Sequence, residues 1–127
     1  MTQHTLSVLV ENSPGVLARV ASLFSRRGYN IDSLAVGPTE NPEISRMTIV
    51  LNLEGHALDQ VSAQLFKLVN VIGIQEMKSS DSRQAELLFV KVKNASNLAD
   101  IARQNGAVVI ESNGESSIVQ EIGRAHV

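Results

Sequence analysis

Along residues 46–53 every second side chain is apolar: Met47, Ile49, Leu51 and Leu53 fall in one row, with Arg46, Thr48, Val50 and Asn52 on the opposite side. A strand with one dry face needs a layer to cover it, and two flanking segments have the periodicity to supply that layer. Val16, Leu17, Val20, Ala21 and Phe24 recur at helical spacing, Arg19, Arg26 and Arg27 fall mostly off that face, and Gly28 ends the pattern. This predicts a helix over 15–28. After Gly55, Leu58, Val61, Leu65 and Leu68 repeat at three- and four-residue intervals and predict a second helix over 57–69.

Three further strands complete the unit. Leu6, Val8 and Val10 alternate around Ser7, residues 29–36 are rich in β-formers, and Val71, Ile72 and Ile74 form the last strand. The cluster Gly37-Pro38-Thr39-Glu40-Asn41-Pro42 separates the second strand from the third, because proline cannot donate to a ladder. The order is βαββαβ, an α+β, ferredoxin-like unit with an antiparallel four-stranded sheet and two helices on one face. The polar run 78–84 reads as a linker, which sets a first domain at 1–79, a linker at 80–85 and a second domain at 86–127.

The second domain reads as strand 86–93, helix 98–104, strand 107–111, an Asn113-Gly114 turn and strand 117–120. Another split βαβ unit needs one more helix and strand, so 86–127 is expected to be a truncated α+β domain. Residues 121–127, Glu-Ile-Gly-Arg-Ala-His-Val, resemble the in-frame translation of a widely used sequencing-adapter oligonucleotide and are set aside from the fold.

Composition removes several functions. With 127 residues, 43% of them hydrophobic, the chain can bury a core without a disulfide or metal. It has no cysteine, so thiol nucleophiles, Cys-ligated zinc and iron–sulfur clusters are out. A net charge of −2 and 3% aromatics give neither the electrostatic footprint nor the stacking platforms of a nucleic-acid binder. No basic-then-apolar leader and no run of ~20 apolar residues is present, so the expectation is a cytoplasmic protein with no membrane partner. His4, His56 and His126 lie in separate segments without ligand spacing; they read as surface residues, and no metal site is expected. There is no Gly-x-Ser-x-Gly elbow, Gly-x-Gly-x-x-Gly loop or Walker loop, and no carboxylate pair set in a cleft, so no catalytic residue is assigned.

One stretch points to a ligand. A strand that ends in Glu11-Asn12-Ser13-Pro14-Gly15 and turns into a helix at Val16 aims open N–H groups and the positive end of the helix dipole outward, where a carboxylate fits. Gly15 has no Cβ to block the approach, and the Asn12 amide can both donate and accept, as a free amino acid requires. The same residue types populate ordinary helix starts, so capping and ligand binding both stand at this point. Asn30, just after Gly28, has the same two readings. The second strand lies at a sheet edge, where two-fold pairing with another copy would carry Asn30 of one subunit toward the helix start of the other.

Residues 6–17 (Leu-Ser-Val-Leu-Val-Glu-Asn-Ser-Pro-Gly-Val-Leu), 23–34 (Leu-Phe-Ser-Arg-Arg-Gly-Tyr-Asn-Ile-Asp-Ser-Leu) and 45–49 (Ser-Arg-Met-Thr-Ile) closely resemble the small regulatory subunits of acetolactate synthase. The first stretch alone would indicate only an ACT domain, an amino-acid-sensing module; the other two are more specific. The resemblance covers about residues 4–93 and weakens after that. It implies a homodimeric subunit with no cofactor or active site of its own, which activates a catalytic subunit and confers feedback inhibition, usually by valine. The implied partner holds thiamine diphosphate, Mg²⁺ and FAD, and condenses two pyruvates to 2-acetolactate in branched-chain amino acid synthesis. By the same resemblance Asn12 and Gly15 hold the effector's polar ends with the Val16 and Leu17 backbone beside them, while Asn30 and Ile31 come from the second subunit. The family's second domain is longer than 86–120, which matches the expectation of truncation.

Rival uses of the topology lack their residues. RNA-recognition domains need aromatics on the first and third strands, and residues 6–10 and 45–53 have none. Copper chaperones need cysteine, and small phosphatases need an arginine in an anion loop, which residues 11–15 do not contain. A stand-alone ACT-type sensing or dimerisation module without a catalytic partner remains the alternative.

Overall fold

The computed structural model describes residues 2–78, 80 and 82–123. The chain divides into two compact units, Met1–Ser82 and Arg83–Val127.

The first unit is α+β: β1 (Thr2–Glu11), α1 (Val16–Arg26), β2 (Ile31–Pro38), β3 (Ile44–Leu53), α2 (Gly55–Phe66) and β4 (Val71–Glu76). Its antiparallel sheet has the order β2-β3-β1-β4, so β2 and β4 are the edges. Register explains the core directly. Leu6 faces Ile49 and Val8 faces both Met47 and Ile74, so the alternating rows of neighbouring strands share one face. Val16, Val20, Leu23 and Phe24 of α1 and Leu58, Val61 and Leu65 of α2 close over that face. Each such side chain contributes roughly 1.5–3 kcal/mol on leaving water.

The expected order and dry rows are present, and the element ends differ for local reasons. Thr2 pairs with Leu53, so β3 recruits a polar strand start that alternation cannot reveal. Helix α1 is shorter than 15–28 because Gly15 (φ 84°) and Gly28 (φ 74°) bound it in left-handed backbone that other residues rarely adopt. Helix α2 begins two residues earlier than expected: the extended Glu54 offers its carbonyl to the Ala57 and Leu58 N–H groups. It ends earlier too, in tight i→i−3 bonds from Lys67 to Gln64 and Leu68 to Leu65. Strand β2 starts at Ile31 rather than Tyr29 and runs on through Gly37 and Pro38, which the turn cluster had excluded. On an edge strand the missing proline N–H can face away from the ladder.

The second unit contains β5 (Glu86–Lys93), α3 (Leu98–Gln104), β6 (Val108–Ser112) and β7 (Ser116–Gly123), with sheet order β5-β7-β6. The β6–β7 hairpin is closed by Asn113, whose Oδ1 accepts from the Glu115 and Ser116 N–H groups at 2.9 Å each. Asn94 ties the hairpin to the end of β5, donating to the Asn113 carbonyl and accepting from the buried Ser117 hydroxyl. Strand β7 extends past Gln120: Glu121, Ile122 and Gly123, set aside on sequence grounds, lie opposite Leu88, Leu87 and Glu86. Residues 124–127 of that segment lie outside the described residues. Among the described residues no helix is long and apolar enough to cross a membrane.

Candidate functional site

The segment that leads from β1 into α1 is clamped from two sides. The Glu11 N–H donates to the Asn70 carbonyl in the α2–β4 turn at 2.9 Å, and the Asn12 N–H donates to the Glu43 carbonyl in the β2–β3 turn at 2.8 Å. The Asn12 side chain follows its backbone, with Nδ2 donating to the Pro42 carbonyl at 2.9 Å. Asn12 is therefore a clasp between two loops and not a helix cap. Its Oδ1 and second Nδ2 proton remain for a ligand.

Helix α1 starts without a side-chain cap. Its N-cap is Gly15, and the first intrahelical bond runs from the Arg19 N–H to the Gly15 carbonyl at 3.1 Å. The Gly15, Leu17 and Ala18 N–H groups make no hydrogen bond to a described residue, and all three residues are exposed. A Cβ placed on Gly15 would meet no heavy atom within 4 Å, so the space in front of the helix is open. Open donors, a helix dipole and a Cβ-free approach can together receive a carboxylate, while Asn12 Oδ1 can accept from an ammonium. Val16 fixes the helix to the core at 3% exposure, while Leu17 is exposed.

Asn30 and Ile31 lie elsewhere in the same chain. Pro38 and Val10 both face Ser45, which places the end of β2 level with the β1–α1 loop, whereas Ile31 faces Leu51. Six residues of β3 separate these levels, roughly 20 Å at ~3.3 Å per residue. Asn12, Gly15, Val16 and Leu17 therefore come together, and Asn30 and Ile31 sit at the opposite end of the sheet.

A part of this region that sequence reasoning missed is Asn70. Its Oδ1 accepts from Arg19 Nη1 at 2.6 Å and its Nδ2 donates to Glu11 Oε2 at 3.0 Å, so one buried amide bridges a guanidinium and a carboxylate and holds both ends of the loop. A lone Asn inside the apolar run Leu68-Val69-Asn70-Val71-Ile72 was the available signal, since a polar group there needs partners. Asn70→Ala is expected to cost about 1–3 kcal/mol in urea denaturation, because Arg19 and Glu11 lose their bridge in a partly buried place.

His4 departs from its expected surface position. Its side chain is 12% exposed, Nδ1 lies 3.0 Å from Glu76 Oε1 across the β1–β4 pair, and the buried Nε2 has no hydrogen-bond partner among the described residues. His56 is exposed, and His126 lies outside the described residues. Among the described residues no three His, Asp or Glu side chains gather where a metal could bind.

Comparison with known proteins gives the family and the fold. The family described as AHAS small subunit-like ACT domain matches residues 6–73, which include the whole clamped loop, both helices and most of the sheet. The chain belongs to the acetolactate synthase small-subunit family. It is 60% identical over 90 residues to the acetolactate synthase small subunit of Mycolicibacterium smegmatis, a match covering 71% of this chain and 53% of that protein. It is 50% identical over 124 residues to the small subunit of Mycobacterium leprae, covering 94% of this chain and 73% of the relative. The match thus spans about half of one relative and three-quarters of the other. The crystal structure of the acetolactate synthase small subunit from Thermotoga maritima superposes with a TM-score of 0.86 at 30% identity, covering 98% of this chain and 81% of that one. The first unit is accordingly an ACT, ferredoxin-like domain, followed by a second sheet-containing unit.

Proposed function

We propose that the chain is a regulatory, non-catalytic subunit that binds a branched-chain amino acid, valine, at the β1–α1 loop and adjusts the activity of an acetolactate synthase catalytic subunit. The observation that carries this reading is the uncapped start of α1 at Gly15, with open N–H groups beside the Asn12 amide. The carboxylate of the effector lies against the Gly15, Val16 and Leu17 backbone, where the helix dipole favours negative charge. Asn12 Oδ1 takes the ammonium. The chemistry belongs to the partner, which holds thiamine diphosphate, Mg²⁺ and FAD and joins two pyruvates; this chain supplies no group to that reaction. Both proteins work in the cytoplasm.

Asn30 and Ile31 enter the site from a second copy. Leu34 and Val36 face Ile49 and Met47 on the core side of the sheet yet are 39% and 47% exposed, because β2 is an edge. When two β2 strands pair antiparallel about a two-fold axis their ends exchange, so the start of one β2 lies beside Pro38 of the other, level with its β1–α1 loop. Each effector then sees Asn12, Gly15, Val16 and Leu17 of one subunit with Asn30 and Ile31 of the next. Val36→Lys is expected to halve the mass measured by light scattering and to remove valine binding, with the helical signal unchanged.

The assay that tests the role mixes the chain with the catalytic subunit from the same source and follows acetolactate formation. The expected result is higher activity on mixing and a valine-dependent loss of that gain. Unchanged activity, together with retained valine binding, would instead identify a sensing module without a catalytic partner.

A further inference from the structure

The outer side of the helical layer carries a groove that the effector site does not use. Two adjoining cavities of about 380 and 390 Å³ share Arg26 and Leu68; one is lined also by Leu23, Arg27, Gln64 and Lys67, the other by Ala18, Arg19 and Ser22. Every charged side chain in this lining is a cation. No described carboxylate pairs with Arg19, Arg26, Arg27 or Lys67, and Glu11 reaches Arg19 only through Asn70. The segregation runs against the chain as a whole, whose net charge is −2.

The arginines are held and not neutralised. Arg19 Nη1 donates to Asn70 Oδ1 at 2.6 Å, Arg27 Nη2 to Gln64 Oε1 at 2.7 Å and Arg26 Nε to the Ser22 carbonyl at 3.4 Å, all neutral acceptors. Each guanidinium keeps its full charge and most of its donors, while its position is partly set in advance. Compensation of the α1 and α2 C-termini explains a basic residue at each helix end. It does not explain Arg19, which stands one turn into α1.

We propose that this groove docks an acidic segment of a partner protein. From Arg19 to Arg27, the C-cap of α1, the cations span eight residue steps, roughly 12 Å at ~1.5 Å per residue. That is longer than one phosphate group and matches an extended peptide whose carboxylates stand four residues apart, at ~3.3 Å per residue. Leu68 and Ala18 between the cations suit the small apolar side chains of such a segment, and the buried Leu23 floors the groove beneath them. A nucleotide fits less well, because no aromatic ring lines the groove for a base and helix C-termini, not N–H groups, border it. In the regulatory reading, on which the choice of partner rests, the segment belongs to the catalytic subunit.

The test uses the whole chain, the double variant Arg26→Gln/Lys67→Gln, and two labelled peptides, one alternating Glu and Ala and one alternating Gln and Ala. Neither substituted residue touches the effector loop, so the thermal midpoint with and without valine reports that the variant is folded and intact. The expected result is binding of the Glu peptide only, weakened roughly tenfold in the variant and by added salt, with a parallel loss of affinity for the catalytic subunit. Equal affinity of wild type and variant overturns the proposal. So does displacement of the peptide by micromolar pyrophosphate, which would mark a small-oxyanion site. Peptide binding by a chain that ignores the catalytic subunit would leave the groove standing and remove the catalytic-partner reading instead.

Discussion

Gly15→Asp is expected to remove the proposed valine response and to leave the fold in place. Wild-type chain with valine at ~100 times its dissociation constant is expected to gain about 2.7 kcal/mol of stability, read as a higher unfolding midpoint. In the variant a fixed carboxylate stands where the proposed site puts the effector's carboxylate, so the two charges would repel and the open N–H groups would have an internal partner. The gain is then expected to vanish. The cost to the fold is small: Gly15 sits at φ 84°, and a Cβ there meets nothing within 4 Å. Left-handed backbone costs a substituted residue about 1–2 kcal/mol, with Asp and Asn among the best tolerated. Gly15→Asn has the same shape without the charge, and a smaller loss of response in Asn than in Asp isolates the electrostatic part. A Gly15→Asp chain that binds valine as wild type does would place the site elsewhere.

Phe24→Ala is expected to be the most damaging single truncation. Phe24 is the largest fully buried side chain, closed between α1 and the sheet at 1% exposure, and its removal leaves a cavity the neighbours cannot fill. The expected loss is about 3–5 kcal/mol, which for a domain of this size lowers the midpoint by more than about 12 °C. The other two phenylalanines are internal controls. Phe66 and Phe89 are 55% and 58% exposed, and alanine at either is expected to change stability by about 0.5 kcal/mol. Denaturation of the three variants side by side checks the placement of the core. Similar losses in all three would contradict it.

What the sequence revealed and what it concealed have different physical origins. The β3 row Met47, Ile49, Leu51 and Leu53 and the α1 stripe Val16, Val20 and Phe24 were legible because burial imposes a period on neighbouring residues. The glycine-bounded turn into α1 was legible because few residues accept its backbone. The Asn12 clasp was not, since its partners Pro42 and Glu43 lie thirty residues away and are carbonyls, which any residue can supply. The Arg19–Asn70–Glu11 bridge was hidden for the same reason, although an isolated Asn among valines was a usable sign. His4 looked like a surface residue because its neighbours are polar, yet its pairing opposite Leu51 turns it to the core side of the sheet. Element ends were blurred where backbone bonds decided them, as at Glu54 and Lys67. The distance between Asn30 and Gly15 follows only from strand register, which fixes that one chain cannot close the proposed site alone.

The most direct measurement is the thermal unfolding midpoint of this chain with millimolar L-valine against the same concentration of L-lysine. The expected result is a rise with valine that saturates and no rise with lysine, because the proposed site offers open N–H groups for one carboxylate and one Asn amide for one ammonium. Identical midpoints in both solutions, or an equal rise with lysine, would contradict an effector site at Asn12 and Gly15.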